Sequence, residues 1–143
     1  MESLELVLLK NKDEDLAYIE AIHLLPKINE YIQIDDKYFD NVINNDNIWY
    51  YKLMLDKKVI GAIHVEKNEE VLYLSIWIHP VHQRQGYAHF CLESIIEMFS
   101  DDILRIEVKI DQANIPSISL FEKFGFKIEH MVDGIYYYVK RVK

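Results

Sequence analysis

The stretch Ile76-Trp77-Ile78-His79-Pro80-Val81-His82-Gln83-Arg84-Gln85-Gly86-Tyr87-Ala88 decides how this chain is read. Its first residues close an apolar run that begins at residue 71. Pro80 ends that run, because proline lacks the N–H a central strand needs. From Ala88 the period changes: Ala88, Leu92, Ile95, Ile96 and Phe99 mark one face of a 3.6-residue repeat, which predicts a helix over residues 86–100. Between strand and helix lies a short polar loop in which Gly86 permits a tight turn. Such a loop aims several free N–H groups at one point, and the helix start adds about half a positive charge. A diphosphate can bind there even on an acidic protein.

The protein is acidic. Its 143 residues carry 24 Asp plus Glu against 16 Lys plus Arg, a net charge of −8, with 50% hydrophobic content. A field of that sign disfavours nucleic acid and anionic lipid as partners. Four glycines, three prolines and the single Cys91 exclude collagen-like, low-complexity and disulfide-stapled chains. The apolar runs fall short of the roughly 18 residues of a membrane span, and the start, Met1-Glu-Ser-Leu-Glu, lacks the basic-then-apolar design of a signal peptide. The expectation is one cytoplasmic domain over residues 1–143 with no membrane partner.

Outward from the central stretch, the patterns alternate between periods. Residues 4–9 read as a strand, followed by a helix that Asp13 would cap, that Pro26 interrupts and that residues 27–45 resume. Strands over 48–56, 58–66 and 71–79 form an antiparallel meander, with Trp49, Tyr51, Leu53 and Leu55 on one face of the first. Residues 104–110 alternate Leu104, Ile106, Val108 and Ile110 with Arg105, Glu107 and Lys109, a half-buried strand. Asn114 caps a short helix with Pro116 in its first turn and Gly125 past its end. Strands 126–131 and 135–142 join through Asp133-Gly134, a hairpin signal. The predicted order is β-α-α-β-β-β-α-β-α-β-β, an α/β fold with a mixed, mostly antiparallel central sheet flanked by helices.

Gln83-x-x-Gly86-x-Ala88, placed between a strand ending in apolar-x-Pro and a long helix, resembles the signature of the GNAT N-acetyltransferase family. Asn114-x-x-Ser117-x-x-Leu120-Phe121-Glu122-Lys123-x-Gly125-Phe126 is similar to the family's other block, after the expected strand. The element order from residue 48 onward also fits, while residues 1–47 fit by order alone. His82-Gln-Arg-Gln-Gly and the second block look like the RimJ/RimL-type branch. The resemblance implies acetyl-CoA as co-substrate, no metal, and a small-molecule or peptide amine as acceptor.

It also implies roles. Backbone groups around Ile76 and Ile78 would pair with the pantetheine arm, the Ile78 amide polarising the thioester carbonyl. The loop Gln83, Arg84, Gln85, Gly86, Tyr87 and Ala88 would hold the pyrophosphate through its backbone amides from Arg84 onward. Asn114 would contact the pantetheine arm, and the face carrying Ser117 and Phe121 would approach the sulfur. Many members carry tyrosine at the position of Phe121, as acid for the departing thiolate. Phenylalanine cannot donate, so Ser117 is the first substitute and Tyr136, Tyr137 and Tyr138 are others. A glutamate common early on the strand 71–79 is Leu72 here, which leaves Glu66 and His64 as candidate bases.

Plainer readings stand beside these. Glu66 and His64 read first as solvent-facing strand residues, Cys91 as core, His79 and His82 as loop residues, and Asp13-Glu14-Asp15 and Asp35-Asp36 as solvated helix starts. The missing tyrosine and glutamate together motivate an alternative function, a catalytically weak or inactive acyl-CoA-binding sensor or interaction module. Residues 16–45 and the hairpin 132–137 would choose the acceptor. A homodimer is compatible with the sequence, which does not fix the oligomeric state.

Overall fold

The structure, a computed structural model, describes residues 3–142. Its strands are β1 (Leu4–Leu8), β2 (Ile48–Leu55), β3 (Lys58–Asn68), β4 (Val71–Ile78), β5 (Arg105–Asp111), β6 (Lys127–Val132) and β7 (Ile135–Arg141). Its helices are α1 (Leu16–His23), α2 (Pro26–Asn29), α3 (Tyr38–Asn44), α4 (Tyr87–Phe99) and α5 (Ile115–Lys123). The strands make one sheet in the order β1-β2-β3-β4-β5-β7-β6, antiparallel except where β4 runs parallel to β5. The expected mixed α/β architecture, meander and final hairpin are all present. Both hairpin turn residues have positive φ, Asp133 at 50° and Gly134 at 79°, which matches the right-handed twist of the paired strands.

Residues 13–45 depart from the sequence reading. In place of one helix broken at Pro26 there are three short ones, and Pro26 opens the second, where its missing N–H costs nothing. Asp13 does not cap α1. The N-cap position is Asp15, which makes no side-chain cap bond. Asp13 is buried instead: its Oδ1 accepts from Lys52 Nζ at 2.9 Å, and Asp15 Oδ2 accepts from the same ammonium at 2.8 Å. The expected solvated helix start is therefore an ion cluster that ties the loop before α1 to β2. Lys52 was legible only as the polar residue of an alternating strand. It is buried because helices cover this face of β2 as well as the other.

Each face of the sheet has its own core. On one, Leu92, Ile95 and Phe99 of α4 and Phe121 of α5 pack on Ile63, Val65, Leu72, Leu74, Ile106 and Val108. On the other, Ile19, Ile22, Ile28, Phe39 and Val42 of the three short helices pack on Tyr50, Met54, Ala62 and Trp77. Burying one such side chain contributes about 1.5–3 kcal/mol. That gain stabilises helices too short to persist alone.

Gly61 marks a close approach within the sheet. Leu53 stands opposite Gly61 but Met54 opposite Val59, so Ile60 is the extra residue of a bulge. A Cβ on Gly61 would lie 2.6 Å from the Trp77 carbonyl oxygen. Glycine is therefore required where β3 presses on the end of β4. Cys91 is fully buried in the core, as expected, and burial pushes its thiol up to about 12. Among the described residues no helix is long and apolar enough to cross a membrane.

Candidate functional site

β4 and β5 pair only over Val71–Tyr73 with Arg105–Glu107. Beyond Tyr73 they diverge, opening a slot of about 70 Å³ whose walls include Leu74, Ser75 and Ile76 on one side and Val108 to Asp111 on the other. Tyr31 and Ile32 close it from the helical side, and Asn114, Ser117 and Phe121 of the α5 region form its other end.

The register states what the slot offers. The His79 N–H donates to the Ile60 carbonyl at 2.8 Å. Bonded positions alternate in an antiparallel pair, so Trp77 and Ser75 direct their backbone groups to β3, and Ile78 and Ile76 direct theirs away from it, toward β5. Pairing with β5 has ended by then. On β5, Gln112 donates to Gly134 and Val142 donates to Leu104, each at 2.9 Å, so the backbone groups of Lys109 and Asp111 are likewise turned from β7 into the opening. Two strand edges face each other without meeting. An extended ligand with amide groups can enter as an added strand.

The Ile78 carbonyl is the exception. It accepts from Gln83 Nε2 at 2.9 Å, which ties the loop to the strand end and leaves the Ile78 N–H as the free donor of that residue. The loop itself begins with a 3-10 turn, Pro80–His82, whose Val81 N–H donates to His79 Nδ1 at 3.2 Å. Arg84 and Gly86 both take left-handed φ values, 64° and 84°. Gly86 is the N-cap of α4, with no side-chain cap bond and no acidic residue in the first turn to compete for the helix dipole. Arg84 and Gln85 are exposed, Ala88 is half-buried, and Tyr87 is buried against Leu53 and Ile78. Gln83 thus has a structural bond of its own.

On the α5 side, Asn114 caps its helix as expected, accepting from the Ser117 N–H at 3.4 Å. Ser117 and Phe121 both line the slot. Phe121 is 2% exposed and stands edge-on to Phe126 at 5.1 Å. Of the three tyrosines, Tyr138 donates its hydroxyl to Glu122 Oε2 at 3.2 Å and is held above its ordinary pKa by burial and that carboxylate. Tyr137 lies on the opposite face, stacked on His130 at 4.2 Å.

His64 is not the solvent-facing residue its alternating strand implies. Its imidazole is half-buried under Tyr38, whose hydroxyl is hydrogen-bonded with His64 Nδ1. Burial lowers its pKa, partly offset by Glu66. Glu66, two residues along β3 and opposite Tyr73, is also half-buried. The slot-lining residues Tyr31, Ser75, Lys109 and Asp111 and the partner Tyr38 were not singled out from sequence. Ser75 alone left a signal, as the one small polar residue in Val71–Ile78. His79 and His82 have rings 6.2 Å apart, and no group of three or more His, Cys, Asp or Glu among the described residues is placed to hold a metal ion.

Comparison with known proteins adds four likenesses. Residues 14–126 match the family model described as "Acetyltransferase (GNAT) family". A curated relative, the UPF0157 protein YqkA of Bacillus subtilis (strain 168), is 34% identical over 71 residues, 49% of this chain but 20% of that protein. Among solved structures, the aminoglycoside acetyltransferase AAC(6')-Ib in complex with coenzyme A superposes with a TM-score of 0.81 at 19% identity, covering 97% of this chain and 95% of the other. The spermidine N-acetyltransferase from Vibrio cholerae, in complex with CoA and spermine, gives 0.81 at 17% identity, covering 96% and 95%. At these identities the solved structures show a shared fold.

Proposed function

Because this chain belongs to the acetyltransferase (GNAT) family, we propose that it transfers an acetyl group from acetyl-CoA to a primary amine, on a small molecule or at a peptide N-terminus, by direct transfer in a ternary complex. The observation that carries this reading is the divergence of β4 from β5. It turns the Ile76 backbone groups into the slot and the Ile78 N–H the same way just beyond it, while the Ile78 carbonyl is tied to Gln83 of the loop that runs into the start of α4.

The residues present fit acetyl-CoA as co-substrate. Ile76 and the edge of β5 pair with the pantetheine amides, and Asn114 offers its remaining amide N–H groups beside them. The amides from Arg84 to Ala88 receive the pyrophosphate, Gln83 pins the loop to β4, Gln85 flanks it, and Tyr87 anchors α4 in the core. The Arg84 guanidinium adds a charged partner. The Ile78 N–H stabilises the oxyanion, a kind of contact worth about 3 kcal/mol where removed elsewhere. Ser117, at the slot beside Phe121, supplies a hydroxyl to the departing sulfur. A thiol pKa near 8.5 makes the thiolate a tolerable leaving group even where that donation is weak. Glu66 and His64 are the candidate bases. A route through an acetylated Cys91 is disfavoured, since that thiol is sealed in the core.

The acceptor approaches from the α1–α3 side, where the segment between α2 and α3 closes the slot. The wording of the two sequence blocks supports the RimJ/RimL-type branch, and the unpaired cysteine supports a cytoplasmic location. A catalytically weak acyl-CoA-binding module is the second reading, favoured by Phe121 standing where a hydroxyl would serve. Both readings expect acetyl-CoA to raise the unfolding temperature. Release of free thiol on addition of spermine, kanamycin or a basic peptide with a free N-terminus supports the transferase, and stabilisation without release against any of them supports the module. No stabilisation by acetyl-CoA sinks both.

A further inference from the structure

On the acceptor side of the sheet, polar groups stand inside an otherwise apolar cluster. His23, Tyr50 and Trp77 are sealed: Trp77 Nε1–H donates to the Tyr50 oxygen at 2.8 Å, and the Tyr50 hydroxyl lies 3.0 Å from His23 Nε2. Tyr38 and His64, above them, are only half-buried. Tyr38 is the first residue of α3. Its ring is fixed edge-on by Phe39 at 4.8 Å and Tyr50 at 6.2 Å and lies tilted over His64 at 5.5 Å. His64 stands directly opposite Ser75 in a hydrogen-bonded pair, about 5.5 Å between Cα atoms. Ser75 lines the slot next to Ile76. The Tyr38–His64 couple is therefore one strand away from the opening, on the side from which the acceptor comes.

The geometry points to Tyr38 as a further catalytic residue: its hydroxyl oxygen takes a proton from the attacking amine while its own proton passes to His64 Nδ1. This deepens the transferase reading and rests on it. The amine nitrogen forms its bond to the acetyl carbon, the carbon–sulfur bond breaks, and its electron pair leaves on sulfur as thiolate. The nitrogen's surplus proton moves to Tyr38, and His64 becomes imidazolium. After release of product, His64 returns its proton to the Tyr38 oxygen as Tyr38 gives the proton it took from the amine to water, which leaves both groups neutral again.

Neither member suffices alone. Burial, with the nearby charge of Glu66, suppresses ionisation of the Tyr38 phenol, so it needs an onward acceptor. Burial keeps His64 neutral, its Nδ1 is occupied by Tyr38, and Glu66 favours the imidazolium once formed. The groups facing the couple are Glu66 on β3, Tyr50 on β2, Ser75 and Tyr73 on β4 and the uncharged His23 on α1, with the Arg105–Glu107 pair beyond Tyr73. Glu66 is a poorer terminal base. It stands opposite Tyr73, where β4 is still paired with β5 and the slot has not opened.

Thiol release from acetyl-CoA, followed against pH with spermine, kanamycin, a basic peptide with a free N-terminus and water alone as acceptors, tests the relay, with calorimetric acetyl-CoA binding on the same samples. Tyr38→Phe is expected to bind acetyl-CoA as the parent does, to lose on the order of 10²-fold in kcat, and to lose the acidic limb of the kcat profile near or below pH 6.5. His64→Gln should do the same, and the double variant should be no worse than either. Full kcat in Tyr38→Phe, or an unchanged acidic limb in either variant, overturns the relay and leaves the transferase standing. Loss of acetyl-CoA binding in Tyr38→Phe gives the residue a structural role and overturns the relay as well. If the parent protein binds no acetyl-CoA, or releases thiol with none of the acceptors, relay and transferase fall together.

Discussion

Gln83 Nε2 donates to the Ile78 carbonyl at 2.9 Å, and this one bond joins the two halves of the candidate site. Ile78 ends the strand whose N–H would face a thioester, and Gln83 begins the loop whose amides would face a diphosphate. One side chain sets the distance between them. Gln83→Ala removes a hydrogen bond worth about 0.5–1.5 kcal/mol. Acetyl-CoA affinity should fall by roughly 3–10-fold, with kcat lowered as Ile78 loosens. Calorimetry and steady-state kinetics on the same sample check both, and unchanged affinity would show that the loop holds its place without this tie.

Gly86 has a φ of 84°, and a Cβ there would meet nothing within 4 Å. A substitution at this residue therefore acts through backbone conformation and not through a clash. An L-residue in this region costs about 1–2 kcal/mol, more for a β-branched one. Gly86→Val should lower stability by more than that and abolish the rise in unfolding temperature caused by acetyl-CoA. Gly86→Ala should give the smaller version of both effects. Differential scanning calorimetry with and without acetyl-CoA decides the matter.

The Asp13–Lys52 pair has side chains only 1% and 7% exposed. Lys52→Met leaves a carboxylate buried without its ammonium, and losing one partner of such a pair costs about 3–5 kcal/mol. The double variant Lys52→Met/Asp13→Leu should recover much of that loss. Burial alone would raise the Asp13 pKa. The Asp15 amide, the Lys52 ammonium and the Lys10 amide outweigh it and hold the carboxyl below 3.8. A depressed carboxylate contributes stability that is present above its unfolded value and lost as pH falls through the folded one. Urea titrations at pH 7 and below pH 4 should show the steepest acid loss in the parent and a shallower one in the double variant.

His23 is 1% exposed, and burial brings its pKa down from 6.5 to about 4. The unfolded chain takes up a proton between those values and the folded chain does not, so stability falls as pH drops from 6.5 toward 4. The full effect amounts to about 3 kcal/mol. His23→Gln should flatten that part of the stability profile while lowering stability at pH 7, since Tyr50 loses its buried imidazole partner. Unfolding midpoints measured across pH 4–7 for both proteins test this, and parallel profiles would remove His23 from the account.

Much of the site was legible because its signals are local. Gly86 and Ala88 after a proline-ended strand, and Asn114, Pro116 and Gly125 around a short helix, are read from backbone requirements that each residue carries by itself. The alternation in 104–110 and the 3.6-residue stripe from Ala88 to Phe99 place β5 and α4 for the same reason. Period failed where both faces of a strand are covered. His64 and Glu66 looked solvent-facing because they alternate with apolar neighbours, and only the packing of α1–α3 on that face covers them.

The sequence by itself determined the order of the strands, the tight loop between β4 and α4, the short capped helix α5 and the family resemblance. The tertiary structure decided that β4 and β5 part beyond Tyr73, that three short helices replace an interrupted one, and that Tyr38 comes to rest on His64. The division has a physical cause. Caps, turns and periodicity are written into neighbouring residues, whereas the slot and the Tyr38–His64 contact depend on strands and helices far apart in the chain meeting in one register.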